Sequence, residues 1–169
     1  MIFSHVLVVD SKYKHEVLLD GEPILFEILD TCPKGPHDVP APDLVQWADG
    51  LFLVYSITDR ESFNYVRRVK QALQPDIPIA LVGNKADMVH LRQVSQDEGE
   101  ILAKDFECSF AEVAAAEQVD QVAEAFHELC RDVLALRRKA KQSLLDRMLG
   151  SKSIRVYSRV KSDSALPKD

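Results

Sequence analysis

Two short runs constrain the fold more than anything else in the chain. They are "GLFLVYSI" at 50–57 and "PIALVG" at 78–83. Each is almost wholly apolar over six or more residues, so neither has the polar face that an edge or solvent-facing strand keeps. Continuous apolar strands of this length belong to a parallel sheet covered on both faces. Parallel neighbours need a crossover between them. The segment between the runs supplies one: Asp59 can cap a helix over about 60–73, and Pro75 and Pro78 stop it.

The same alternation continues. Ser95-Gln96-Asp97-Glu98 is a capping box, which predicts a helix over about 96–105. "CSFAEVA" at 108–114 reads as a further strand. Val119, Val122, Phe126, Leu129, Val133 and Leu136 repeat at 3 and 4, the stripe of a helix that packs on the sheet. Upstream, "KHEVLL" (14–19) and "ILFEIL" (24–29) flank Asp20-Gly21, a hairpin signal. "VLVV" at 6–9 is one more short β-rich run. "PKGPHDVPAP" at 33–42 holds four prolines and reads as loop. Strand–helix alternation makes this an α/β chain with a mainly parallel sheet and helices on both faces.

At 169 residues the chain has room for one domain. We expect the folded domain over 1–141 and a basic, largely disordered tail over 142–169. Within that tail, "SLLDRMLG" (143–150) could form one or two amphipathic turns. The net charge of −6 argues against a nucleic-acid partner. The average conceals an asymmetry: from Arg137 onward there are ten Lys+Arg against three Asp+Glu, net +7, which leaves −13 for the rest. Three widely spaced cysteines, Cys32, Cys108 and Cys130, fit free thiols in a reducing compartment. The start of the chain does not read as a secretory signal, and no apolar stretch reaches membrane-spanning length.

Chemistry concentrates in "LVGNKADM" (81–88). In open α/β sheets ligands sit at the carboxyl ends of strands, which is where Asn84, Lys85 and Asp87 fall. A carboxylate can accept from both the N1–H and the exocyclic amine of guanine, a donor pair that adenine lacks. Asparagine can hold the loop or meet the base edge, a lysine stem can lie over the ring, and Gly83 is expected to let the backbone turn tightly. The bland alternative is a polar strand-to-loop turn.

"LVGNKADM", "GLFLVYSITDRESF" and "HEVLLDGEPILFEILDT" together resemble the Ras-family small GTPases in order, spacing and strand length. "QWADGLFLVYSITDRESF" and the basic tail are most similar to the group of Ras-related estrogen-regulated growth inhibitors and Ras-like family 11 members. The resemblance covers residues 13 to about 140. It implies the P-loop-NTPase-like fold, GTP/GDP and Mg2+ as ligands, and effector or regulator proteins as partners. It makes Asn84, Lys85 and Asp87 the guanine-specificity motif, and places the backbone N–H of Ala115, within "EVAAA" (112–116), against the guanine oxygen. Tyr13 falls at the end of the first switch. Ala114 and Ala116 replace the serine and lysine that brace the family's motif, so base binding should be weakened.

Three departures follow from the same comparison. No G-x-x-x-x-G-K-[ST] loop occurs in these 169 residues, so the N–H cradle, the phosphate lysine and the magnesium hydroxyl are missing from them. The family's D-T-A-G-Q reads Asp30-Thr31-Cys32-Pro33-Lys34. Pro33 offers no N–H to a γ-phosphate, and Lys34 replaces the glutamine that orients water. The first-switch threonine has no counterpart near Val8 and Val9. Asp30 approaches magnesium in the family. Here it is either a remnant metal ligand that does not hold the ion alone, or a strand-end acid capping the next turn.

The fold is thus expected to be N-terminally truncated. If "VLVV" occupies the family's first-strand place, residues 10–12 must cross about 9.6 Å, two strand spacings, with a reach of about 10 Å. Otherwise "VLVV" extends the following strand and leaves a gap. A shortened gene product would also combine an intact base motif with no loop. Two functions remain: a guanine-nucleotide-binding protein with impaired hydrolysis, or a pseudo-GTPase interaction module. The ending Leu166-Pro167-Lys168-Asp169 lacks a prenylation box. We expect a monomer, cytoplasmic, or peripheral at a membrane through weak contact of the basic tail, or nuclear.

Overall fold

The computed structural model describes residues 11–31, 35, 38–73 and 76–150. "VLVV", Cys32-Pro33-Lys34 and the tail after Gly150 lie outside them. The chain divides into two units, residues 1–135 and 136–169. In the second, the described residues, 136–150, are helical.

The Asp20-Gly21 turn forms as its sequence requires. Both residues have positive φ, 51° and 86°, the signature of a two-residue type I′ hairpin turn. It joins β1 (Ser11–Leu19) to β2 (Glu22–Asp30) in antiparallel register from Leu19↔Glu22 to Ser11↔Asp30. Lys12 and Lys14 both reach Glu27 across the pair, at 2.9 and 2.6 Å. The Lys12 ammonium also lies 4.8 Å from the centre of the Trp47 ring, a cation–π contact. Trp47 ends a short helix, α1 (Pro42–Trp47), which begins at the last proline of the stretch read as loop. Pro42 is its first residue, the one helical position where a missing N–H costs nothing.

β3 (Leu51–Ser56), β4 (Ile79–Asn84) and β5 (Ser109–Val113) form a parallel sheet in the order β3-β4-β5. α2 (Arg60–Leu73) and α3 (Gln96–Phe106) cover one face, and α4 (Val119–Gly150) begins after β5. Alternation along β3 divides the core. Leu53 and Tyr55 join Phe63, Val66, Val69, Leu81, Leu102 and Phe106. Phe52 and Val54 point the other way, with Val82, Val113, Ala125 and Leu129. The Phe52 and Phe126 rings stack at 4.0 Å. The chain is therefore an α/β fold with a parallel sheet flanked by helices. The expected single sheet is divided: among the described residues the hairpin and β3-β4-β5 are separate sheets.

Both predicted caps are present. Asp59 Oδ1 accepts from the N–H groups of Glu61 and Ser62. Ser95 and Glu98 complete a reciprocal capping box. The stripe on α4 packs through Val122, Phe126 and Leu129, while its end residues Val119 and Leu136 are exposed. The helix extends to Gly150, well past the point where the stripe fades.

Candidate functional site

β4 and β5 run parallel with Asn84 opposite Val113, so the loops that follow them leave the sheet side by side. Asn84 joins them. Its Oδ1 accepts from the N–H of Lys85 at 2.7 Å and from the N–H of Ala115 at 3.2 Å. Two more bonds tie the turn down: Ala86 N–H to the Val113 carbonyl, 3.1 Å, and Met88 N–H to the Lys85 carbonyl, 2.9 Å. Lys85 sits at φ 66°, a left-handed conformation that costs a residue with a Cβ about 1–2 kcal/mol. Strain of this kind persists where the surroundings over-determine it, and it clusters at ligand sites.

The structure thus brings Asn84 and Ala115 together and displays Lys85 and Asp87, both exposed, from one turn. Among the described residues nothing bonds the Asp87 carboxylate, which leaves its oxygens free to accept. The Ala115 N–H, which the resemblance assigns to a guanine oxygen, already has an acceptor in Asn84. Asp30 ends β2 in the other sheet, half-buried. Among the described residues no group of three or more His, Cys, Asp or Glu is placed to hold a metal ion.

Gly83 has a different role from the expected one. Its φ is not positive, so it makes no special turn. A Cβ there would lie 2.9 Å from Tyr55 Oη and 3.2 Å from Glu112 Cγ. A Cβ on Gly99 would meet Phe110 Cζ at 2.5 Å and the same Oη at 2.6 Å. The two glycines make the slot that Tyr55 fills. Tyr55 is buried, and among the described residues its hydroxyl has no hydrogen-bond partner. Burial raises its pKa far above the usual phenol value, with Glu112 adding to the rise.

The sequence also gave no sign of the clamp beneath the loops. Arg92 Nη1 and Nη2 donate to the two oxygens of Glu112, each at 2.7 Å, and Nη1 reaches the Val94 carbonyl at 3.1 Å. This bidentate pair is mostly buried and fastens the segment after Asp87 to the strand that leads to Ala115. A second pair, Arg60 with Glu98, 2.5 Å at its shortest, joins the start of α2 to the α3 cap. Arg60 and the Ser95 bonds hold the Glu98 carboxyl down to about 2. The available signal was the register itself, which puts Glu112 opposite Gly83, and register is not visible in a linear reading. The two described thiols show no activation: burial raises Cys108 and Cys130 to about 11.

The family model described as "Ras family" matches residues 4–135. The chain belongs to the Ras family. Among its Ras-family relatives, the Ras-like protein family member 11B of Danio rerio is 40% identical over 139 residues, covering 76% of this chain and 57% of the relative. The Ras-related and estrogen-regulated growth inhibitor of Homo sapiens is 40% identical over 138 residues, 78% and 68% of the two chains. The GTP-binding protein Rit1 of Mus musculus is 37% identical over 151 residues, 82% and 68%. The chain therefore spans 57% to 68% of the length of these relatives. Ras-family proteins in general bind GTP and GDP with Mg2+, and act with effectors and regulators. No helix among the described residues is long and apolar enough to cross a membrane.

The residues present fit one part of that ligand. The exposed Asp87 carboxylate, on a loop fixed by Asn84, matches the donor edge of guanine. The phosphates and their metal find no counterpart: the 169 residues contain neither the loop motif nor its lysine.

Proposed function

We propose that these residues form a Ras-like G domain that recognises the guanine base through Asp87, holds nucleotide weakly, and does not hydrolyse GTP competently. One observation carries the reading. Asp87 stands free and exposed on a strained turn that four backbone and side-chain hydrogen bonds hold in place. A loop whose shape is set by its own hydrogen bonds is preorganised for a ligand. Asn84 acts as the brace, Lys85 offers its stem to the ring face, and Ala115 has to exchange its bond to Asn84 for one to the base.

Each charge-assisted hydrogen bond to phosphate contributes about 1.5–3 kcal/mol, and the motif that makes several of them is absent from these residues. Affinity should fall well below that of a complete G domain. Pro33 and Lys34 remove the N–H and the water-orienting amide that hydrolysis needs. Asp30 is left without the partners that would make it a metal ligand. The committed engagement of the Ala115 N–H with Asn84 favours a second reading, a pseudo-GTPase that keeps the fold for effector or regulator proteins and binds no nucleotide.

Titration of a fluorescent guanine nucleotide, with and without Mg2+, separates the two. Saturable binding that adenine nucleotides do not compete, and that Asp87→Ala abolishes, supports the first reading. A folded chain that takes up no guanine nucleotide at high micromolar concentration overturns it in favour of the second. GTP turnover at the rate of ordinary Ras-type proteins would refute the hydrolysis claim.

A further inference from the structure

β1 is nine residues long, and among the described residues it pairs on one side only. Lys12 to Glu16 are all exposed, and so is Leu18, at 73%. The hairpin turn fixes which backbone groups are spare. A two-residue turn makes Leu19 and Glu22 a hydrogen-bonded pair, and such pairs alternate along an antiparallel ladder. The odd residues 11, 13, 15, 17 and 19 are therefore bonded to β2. The N–H and C=O groups of Lys12, Lys14, Glu16 and Leu18 point away from it, to the open edge.

An open edge of this length is a template for another strand. Lysines on it discourage indiscriminate pairing, because an incoming strand must meet their charge. Glu16 changes that for one partner. In a two-fold antiparallel pairing centred on His15, the midpoint of β1, Lys14 lies opposite Glu16 of the second copy and Glu16 opposite Lys14. On the other face Tyr13 meets Val17, and His15 meets its own mate. Shifting the centre to Lys14 or Glu16 sets identical charges opposite each other, and centring on Tyr13 opposes Lys12 to Lys14. Only the His15 register uses all nine residues. It keeps opposite charges adjacent in both halves, and it continues each Lys14–Glu27 pair into a run of alternating charge over three strands, Glu27, Lys14 and Glu16 of the second copy.

We propose that a second copy of this chain docks on the β1 edge in this register, joining two hairpins into one four-stranded antiparallel sheet. The pairing supplies about eight backbone hydrogen bonds and needs no nucleotide, so it stands or falls apart from the reading of Asp87. It replaces the monomer expected from sequence with a dimer whose specificity lies in Lys14 and Glu16.

The test uses the full chain and two charge variants. Sedimentation equilibrium of the wild type should show mass rising toward the dimer with concentration. Lys14→Glu alone opposes glutamates, and Glu16→Lys alone opposes lysines, so each should remain monomeric. An equimolar mixture of the two restores complementary pairs at both positions and should dimerise. Circular dichroism of each variant checks that the fold is kept. His15→Cys gives an independent measure, because residues opposite one another at a non-hydrogen-bonded site have Cα atoms about 4.5 Å apart, within disulfide reach. Mild oxidation should link residue 15 to residue 15, as peptide mass spectrometry reads it, while Tyr13→Cys should not self-link. A wild type that stays monomeric at about 1 mM, as it would if the edge served an unlike chain, overturns the proposal. Association unaffected by either charge variant, or a 13–13 link in place of 15–15, does so as well.

Discussion

The two sheets of this molecule are held by different forces. In β3 and β4 most side chains are buried: Leu53, Tyr55, Ile79, Leu81 and Val82 are all at most 4% exposed. Both faces carry helices, and the strands read as unbroken apolar runs. In the β1–β2 hairpin, Tyr13 and Leu25 are 56% and 60% exposed. Order there comes from a turn with two positive φ angles, from Lys12 and Lys14 on Glu27, and from Arg131 on Asp20. The first sheet is fixed by packing and tolerates little change in volume. The second is fixed by local backbone chemistry and exposed ion pairs, which leaves its surface free to serve a partner. The base-reading turn sits on the rigid sheet, where a sub-ångström position can be kept.

Truncation gives the largest expected contrast. Leu81→Ala, in the fully buried centre of β4, should cost about 2–5 kcal/mol. Leu25→Ala, on the exposed hairpin, should fall within about 0.5 kcal/mol. Urea denaturation of both variants tests the distinction, and equal losses would break it. Next in size is overpacking. Gly83→Ala should lose about 1–3 kcal/mol because its Cβ strikes Tyr55 Oη. Removing that oxygen in a Gly83→Ala/Tyr55→Phe double variant should recover at least about 0.5 kcal/mol of coupling. Tyr55→Phe alone should be neutral or stabilising, since it deletes a buried hydroxyl that has no partner.

A smaller gain is expected at the end of α3. Glu107 holds φ 53° while its N–H reaches the Ala103 and Lys104 carbonyls. Glu107→Gly removes the Cβ from a left-handed position and should raise stability by about 1 kcal/mol. The smallest effect is electrostatic. Glu98 and Glu27 each fall from 4.5 to about 2 through their arginine and lysine partners. A depressed carboxyl stabilises the fold above its unfolded value and loses that contribution on protonation. Stability should therefore decline as pH falls from about 4.5 to 2, and the decline should shrink in Glu98→Gln. Both pairs are exposed, so added salt should blunt it.

Much of this was legible because the signals are local. "GLFLVYSI" and "PIALVG" carry their own burial, Asp20-Gly21 its own turn, and Ser95 with Glu98 its own cap. α2 begins just after Asp59 and ends at Leu73, ahead of Pro75 and Pro78, as those residues suggested. What escaped depends on contacts distant in sequence. Gly83 looks like a turn residue until Tyr55 is placed against it from the neighbouring strand. Ser62 gives no hint that its hydroxyl takes the Ser56 N–H at 2.9 Å and finishes the edge of β3. Arg92 and Glu112 find each other only when β5 is registered on β4. At the site, the sequence left Asn84 between holding the loop and meeting the base edge, and only the register of β5 on β4 brings its Oδ1 to the N–H groups of two loops.

The Arg131 contact has a consequence in time. Its guanidinium also holds Glu124 on its own helix, and it reaches Asp20 across 111 residues of chain. A hairpin closes in microseconds from its own turn, but this anchor cannot form until α4 is in place. The hairpin tip should then be the last part of the domain to dock and the first to come away. Amides of β1 would exchange with solvent through that opening while β3, β4 and β5 wait for global unfolding. Arg131→Ala should quicken exchange in β1 and leave β4 as slow as before.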